Sequence, residues 1–266
     1  VITLTGLYVY PVKSARGIAL ERASVTEHGL LHDRRFMIVD EAGAFITQRE
    51  LPTLAKLGTA LDGDCLTLTW DGLGTEQVPL SISSGPRRRV RVWRDEVDAI
   101  DVGVEVARFL STALGVSASL VYMPESTVRV PSLEYARESD RVAFADGFPY
   151  LFASESSLAD LNGRMEAPLP MNRFRPNLVV SGADAYAEDG WRELRVGDLR
   201  FEIVKPCGRC VITTTDQTLG ERAGTEPLAS LARYRRWRGE AVFGQNAVAR
   251  DVGTLALGAE VRVESW

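Results

Sequence analysis

Residues 65–70, Cys65-Leu66-Thr67-Leu68-Thr69-Trp70, alternate between two sets of side chains at period two, the repeat that lays one face of a strand on a core. Gly63 before them and Gly72 and Gly74 after them punctuate the run as turns do. Working outward, period-two or β-branched runs recur at Leu4 to Val12, Phe36 to Val39, Val78 to Ile82 and Val90 to Trp93, with Gly6, Gly43 and Gly85 between. One helix interrupts the series. Asp101 is placed to cap it, Val102, Val106, Phe109, Leu110, Ala113 and Leu114 form its apolar stripe, and Gly115 ends it. It is expected to cover one side or end of the strand-rich unit.

From Pro124 to Arg141 the chain turns polar, as a linker or surface excursion does, so the domain boundary is placed there: a first unit over 1–123, a linker over 124–141 and a second unit over 142–266. In the second unit Ser154 to Met165 reads as helix, and Asn177 to Val180 and Arg200 to Val204 read as strands. The β-branched run Val211 to Thr215 also reads as a strand, directly after a cysteine pair. Thr225-Glu226-Pro227 starts a short helix with Leu228, Leu231 and Tyr234 on one side, and Ala247 to Ala249 and Glu260 to Val263 finish the chain as strands. The fold class is α+β and strand-rich, two units with few helices.

A chain of 266 residues, 45% hydrophobic, can bury a sizeable core, and a formal net charge of −5 disfavours broad attraction to nucleic acid or anionic lipid. The arginines at 87–89 and 91 are read as a solvated strand face, and those at 233, 235, 236 and 238 as helix surface near a C-terminus. Three cysteines, Cys65, Cys207 and Cys210, make no disulfide framework, so a reducing cytoplasm is expected. The first residues lack a signal-peptide pattern, and no stretch has membrane-spanning character; no membrane or nucleic-acid partner is expected.

Cys207-x-x-Cys210 has several physical readings: a zinc site, a disulfide exchanger, one thiolate free to ligate a soft metal, or small residues at a strand end. Zinc needs two more ligands, and the only histidines, His28 and His32, are far off in sequence. An exchanger places its cysteines at a helix N-terminus, whereas Cys210 runs into Val211-Ile212-Thr213-Thr214-Thr215. The motif alone does not choose among the rest.

Seven segments, in order, resemble one family. They are Tyr10-Pro11-Val12-Lys13-Ser14, Gly29-Leu30 with Asp33-Arg34-Arg35-Phe36, Thr47-Gln48-Arg49, Asn172-Arg173-Phe174-Arg175-Pro176-Asn177, Tyr186-Ala187-Glu188-Asp189 with Trp191, Cys207-Gly208-Arg209-Cys210 and Phe243-Gly244-Gln245-Asn246. The pattern is that of MOSC (molybdenum-cofactor sulfurase C-terminal) proteins with an N-terminal β-barrel domain, and it is similar to the mitochondrial amidoxime-reducing component and its bacterial relatives. The resemblance implies a β-barrel-like first domain followed by a MOSC β-barrel domain. It implies a molybdenum cofactor (Mo-molybdopterin) whose metal is ligated by Cys210, not Cys207. Lys13, Ser14, Arg34 and Arg175 match its cofactor positions, and as a point charge, a hydroxyl and two guanidinium forks they suit a phosphate end. Arg34 and Arg175 have another reading, as partners of acids such as Asp33 or Glu188. Asp146, Asn177 and Arg209 match further pocket positions, whereas Gly147 and Phe148 depart from the small hydroxyl residues of the mitochondrial members. Asp216 is read either as a proton handler near the metal or as a turn residue with Gly220.

The implied activity is reduction of N-hydroxylated small molecules, the cofactor carrying the redox chemistry and the protein tuning it. With no four-cysteine cluster and no glycine-rich dinucleotide fingerprint, a separate flavin or iron–sulfur electron donor is expected. The rival reading, from a different class, is a sulfur carrier or transferase with a persulfide on Cys210 and no molybdenum, which has less need of a phosphate cradle. A third is an interaction module that keeps the fold without the chemistry.

Overall fold

A computed structural model describes residues 1–266. Strands Tyr150–Ser154, Leu178–Ser181, Ile2–Val9, Glu260–Ser265, Glu193–Val196, Leu199–Gly208 and Glu240–Ala249 pair in that order, and the last pairs back onto the first. Seven strands thus close a barrel, which leaves no unpaired edge among them. Its one parallel pairing joins Tyr150–Ser154 to Leu178–Ser181, and the helix Glu155–Asn162 lies between these strands in the chain. Trp191, Tyr150, Phe152 and Phe201 are almost fully buried inside, the two rings flanking Phe201 meeting it edge-on at 5.3 and 5.4 Å.

The first half builds an open four-stranded sheet in the order Phe36–Val39, Ser119–Tyr122, Asp95–Asp101, Arg87–Val92, next to a three-stranded sheet of Gly58–Asp62, Cys65–Trp70 and Gly74–Pro79. Phe36 and Ile38 enter the cluster that also holds Leu66, Leu68 and Leu110, while Met37 and Val39 enter a second cluster on the opposite face with Val90, Val92 and Phe144. Covering on both faces is why Phe36–Val39 is continuously apolar and not alternating. The alternation of the arginine run is as expected: Arg87, Arg89 and Arg91 are exposed, and Val90 and Val92 are buried.

The pairing crosses the linear division at 123. Ile2–Val9 is a barrel strand between Leu178–Ser181 and Glu260–Ser265, and Arg22–Thr26 pairs with Gly253–Ala256. Residues 2–9 and 22–30 therefore belong by sheet or core to the second unit; between them the chain leaves the barrel at Tyr10, into the seam between the two units, and Val12 and Ala15 join the core of the first.

Other differences are local. The helix Val104–Leu114 has Gly103 as its N-cap; Asp101 ends the preceding strand and accepts the Gly103 N–H at 2.9 Å. Gly115 closes it in the left-handed conformation, as read. Val211–Thr214 is a 3-10 turn and not a strand, because the Thr213 and Thr214 hydroxyls donate back to the carbonyls of Cys210 and Val211 at 2.9 and 2.8 Å. Of the late arginines only Arg233 lies on the helix Leu228–Tyr234; Arg235 turns inward, forks onto Asp189 and lies 4.0 Å over the Tyr186 ring. No helix is long and apolar enough to cross a membrane.

Barrel closure rests on a glycine. Gly244 has φ +74°, and a Cβ there would sit 2.5 Å from the Phe152 carbonyl oxygen. Gly244→Ala is expected to cost about 2–4 kcal/mol, from left-handed strain plus the clash, read as a lower denaturant midpoint at unchanged slope.

Candidate functional site

A cavity of about 600 Å³ opens at the seam, and both units line it. Seven basic side chains face it against two carboxylates, Asp146 and Glu240, in a chain whose overall charge is −5. Four of the seven non-glycine residues with positive φ, namely Ser14, Arg34, Trp93 and Arg175, are among its lining residues. Left-handed backbone at ordinary residues is strain, and here it gathers at one cavity.

The cationic wall is built on Tyr10, buried where the first barrel strand ends. The Arg34 and Arg175 guanidinium groups lie 4.2 and 4.3 Å from its ring centre, and its hydroxyl donates to the Pro176 carbonyl at 3.1 Å. Burial pushes the phenol up to about 12, so it stays neutral. Arg34 is paired with Asp33 at 2.7 Å and also donates to the Asn177 side chain at 3.2 Å and the Arg175 carbonyl at 3.3 Å. For Arg34 the acid-pairing reading therefore holds as well. Arg175 has no acid: it reaches Gln217 at 3.4 Å, one terminal nitrogen is buried without a partner, and burial pulls it down to about 10. Glu188 instead accepts from Ser157 at 2.7 Å. Asn177, buried, accepts from Arg34 and the Leu151 N–H and donates to the Tyr8 carbonyl, so it braces the wall.

Next to this wall Lys13 donates to the Phe144 carbonyl at 2.8 Å and pairs with Asp146. Burial lowers its ammonium to about 8, although Asp146 pulls the other way. Enclosure works to raise Asp146, but Lys13, Arg49 and the Trp93 N–H at 3.2 Å outweigh it and hold the carboxyl well below its usual range. Arg129 fixes this loop through the carbonyls of Ala143, Ala145 and Asp146 at 2.8, 2.6 and 3.2 Å. Ser14 lines the same end, its carbonyl held by Gln48 at 2.7 Å.

Strand Leu199–Gly208 delivers the cysteines, and its pairing shifts register between Pro206 and Gly208. Cys207 takes an N–H from Arg209 at 2.9 Å; Cys210, opening the 3-10 turn, takes one from Arg49 at 3.2 Å. Both thiols are free. Arg222 ties the Cys210 turn to the first unit, donating to Val211 and Thr215 on one side and to the carbonyls of Gln48 and Arg49, at 3.1 and 2.8 Å, on the other.

The structure thus brings Lys13, Ser14, Arg34, Asp146, Arg175, Asn177, Arg209 and Cys210 to one cavity. Asp216 is not in its lining: the carboxylate pairs with Arg173 at 3.0 Å and accepts from the N–H groups of Thr218 and Leu219, while its carbonyl takes the Gly220 N–H at 2.8 Å, the turn arrangement. His28 and His32 also lie outside the lining; His28 faces Glu125 at 3.9 Å. Sequence reasoning assigned nothing to Arg49 or Trp93. The Thr47-Gln48-Arg49 match was the available signal for the first, and for Trp93 there was none beyond an aromatic at a strand end.

Residues 1–117 match the family description "MOSC N-terminal beta barrel domain" and residues 139–262 match "MOSC domain". The human mitochondrial amidoxime-reducing component 1 is 35% identical over 275 residues, covering 96% of this chain and 81% of that protein. The cattle mitochondrial amidoxime reducing component 2 is 32% identical with the same two coverages. A crystal structure of the YuaD protein from Bacillus subtilis aligns with TM-score 0.48 and 11% identity, covering 100% of this chain and 97% of that one.

Because the Lys13 ammonium is lost near pH 8, an anion bound to the protonated form loses affinity as pH rises through that value. Calorimetric titration with inorganic phosphate between about pH 7.5 and 9.5, where phosphate is a dianion, is expected to show weakening affinity, and Lys13→Met to bind more weakly with a flat profile.

Proposed function

The chain belongs to the MOSC family, with an N-terminal β-barrel domain ahead of its MOSC domain, and we propose that it is a molybdenum-cofactor reductase of N-hydroxylated small molecules with Cys210 as the metal's thiolate ligand. The observation that carries this reading is a free thiol in the wall of a cavity whose other walls are basic and hold unused donors. One terminal nitrogen of Arg175 and of Arg49 and the Nε of Arg209 are buried without partners. Buried donors left unpaired are costly, and an acceptor-rich, phosphate-ended pterin is a ligand that would use them. The donor set therefore fits the cofactor.

Lys13, Ser14, Arg34 and Arg175 would hold the phosphate end, Lys13 as a point charge and Arg175 as a fork with free N–H groups. Asp146, Asn177 and Arg209 would bound the pterin, with Asn177 acting through the orientation of Arg34. The cofactor, when bound, supplies a two-electron centre that takes oxygen from N–O bonds. Asp146 holds Lys13 and Arg49 in place at neutral pH, and the ionised pair keeps that end polar. Asp216, committed to Arg173 and its own turn, is given no proton-transfer role.

With three cysteines, none paired, these 266 residues hold too few thiolates for a cysteine-ligated iron–sulfur cluster, so a flavin or iron–sulfur group outside them is proposed as electron donor and a reducing compartment as the setting.

Made in a host that synthesises the cofactor, the protein is expected to carry stoichiometric molybdenum by elemental analysis and to reduce benzamidoxime when a reduced dye supplies electrons. Cys210→Ser is expected to lose the metal and to unfold at the midpoint of cofactor-free wild type. Unchanged molybdenum in that variant sinks the ligand assignment. Metal-free wild type carrying a persulfide on Cys210 replaces reduction by sulfur transfer.

A further inference from the structure

Arg49 is the cavity cation bonded to the Cys210 sulfur, and little of its fork is engaged. Its Nη2 donates to Cys210 Sγ at 3.2 Å; the Asp146 carboxylate, at 3.6 Å, is beyond ordinary hydrogen-bond length; Nη1 has no partner. A guanidinium carries five N–H donors, so most of this fork is unspent. The side chain keeps 21% exposure at the cavity, and its carbonyl is fixed by Arg222, so the group is held and also reachable.

Its support is costly. The guanidinium lies 4.4 Å from the Trp93 ring centre, and Trp93 sits at the tip of the hairpin between Arg87–Val92 and Asp95–Asp101 with φ +59°, a position glycine or asparagine fills with less strain. Of the four strained residues lining the cavity, the other three match proposed phosphate contacts; Trp93 touches Arg49, Asp146 and Phe45. A strained aromatic kept beneath an underused cation is a feature of the site, not of the core.

We propose that Arg49, resting on Trp93, is a specificity-determining contact that receives the negatively charged oxygen of hydroxamate and N-oxide substrates beside Cys210. This rests on the reductase reading and names the part of its substrate class that the site prefers. Asp146 faces Arg49 but is neutralised by Lys13, which leaves the fork's cavity edge cationic. Charge-assisted contacts of a guanidinium are about twice as strong as neutral ones, so the oxygen's charge is what the site distinguishes.

The test separates this contact from turnover. In protein made without cofactor, Cys210 is alkylated by iodoacetate (anionic) or iodoacetamide (neutral), and the ratio of the two rates cancels the sulfur's own reactivity. Trypsin cuts after Arg209, so Cys207 and Cys210 are counted on separate peptides. Arg49→Met is expected to lower the iodoacetate-to-iodoacetamide ratio at Cys210 about tenfold, and Arg49→Lys to restore part of it. In cofactor-loaded protein near pH 7, where an N-oxide oxygen carries its charge and an amidoxime is neutral, Arg49→Met is expected to raise KM for pyridine N-oxide more than for benzamidoxime, with rates normalised to molybdenum. A ratio that stays the same in both variants overturns the proposal even if turnover is normal. A ratio that responds, in a loaded wild type that reduces neither compound, overturns the reductase reading and leaves the anion contact standing.

Discussion

Two guanidinium groups lie against one buried tyrosine ring, and most of what surrounds the cavity follows from keeping them there. Like charges at short range in a poorly solvated wall repel strongly, and only Asp33 carries a directly paired opposite charge. The arrangement survives because each group is over-determined. Tyr10 supplies a π face, Asn177 and the Arg175 carbonyl orient Arg34, and the backbone at Arg34 and Arg175 is bent into the left-handed region to aim them. Such a wall is expensive in the empty protein and becomes favourable when an anion completes it, so ligand and fold stability are coupled here.

The wall also dictates how the two units meet. Lys13, Arg34 and Arg49 come from the first half of the chain, whereas Arg175, Arg209 and Cys210 come from the second, so the seam must be rigid for the cavity to have a shape. Rigidity comes from polar groups. The Gln48 and Gln217 side-chain amides bond each other in both directions, at 3.1 and 2.9 Å, and Arg222 donates to both units at once. Partly satisfied, such a network would cost more than an apolar contact; here its members are matched across the seam, which specifies a single register between the units.

Much of this was legible. Period-two and β-branched runs located the longer strands of both units, the glycine stop at 115 was correct, and six of the seven family segments supply cavity-lining residues, the Tyr186–Asp189 segment with Trp191 being the exception. What was not legible depends on contacts distant in sequence. Nothing local in Ile2–Val9 says that it pairs with residues near 180 and 260, so the division at 123 could not show the interleaving. Val211 to Thr215 reads as strand by propensity alone; that two of its threonine hydroxyls bond backward is a turn effect that competes with β-branching. Arg49 was quoted as part of a match, but its partner lies 161 residues away.

That last pairing explains why a CxxC spacing here need not mean a cysteine pair working together. The register shift before Gly208 and the 3-10 turn after Cys210 bring both sulfurs to one cavity, yet each has its own guanidinium, Arg209 for Cys207 and Arg49 for Cys210. A Cβ at Gly208, between them, would meet only the movable carboxylate end of the exposed Glu240 side chain. A disulfide exchanger uses a helix N-terminus to activate one cysteine and keeps the other within reach as the resolving thiol. Cys210 instead caps a four-residue 3-10 turn and faces a cation contributed by the other unit, so its setting is fixed by how the units dock and not by its neighbour in sequence. The two sulfurs share a strand end and differ in what they face, Cys207 an arginine of its own segment and Cys210 one from the other unit.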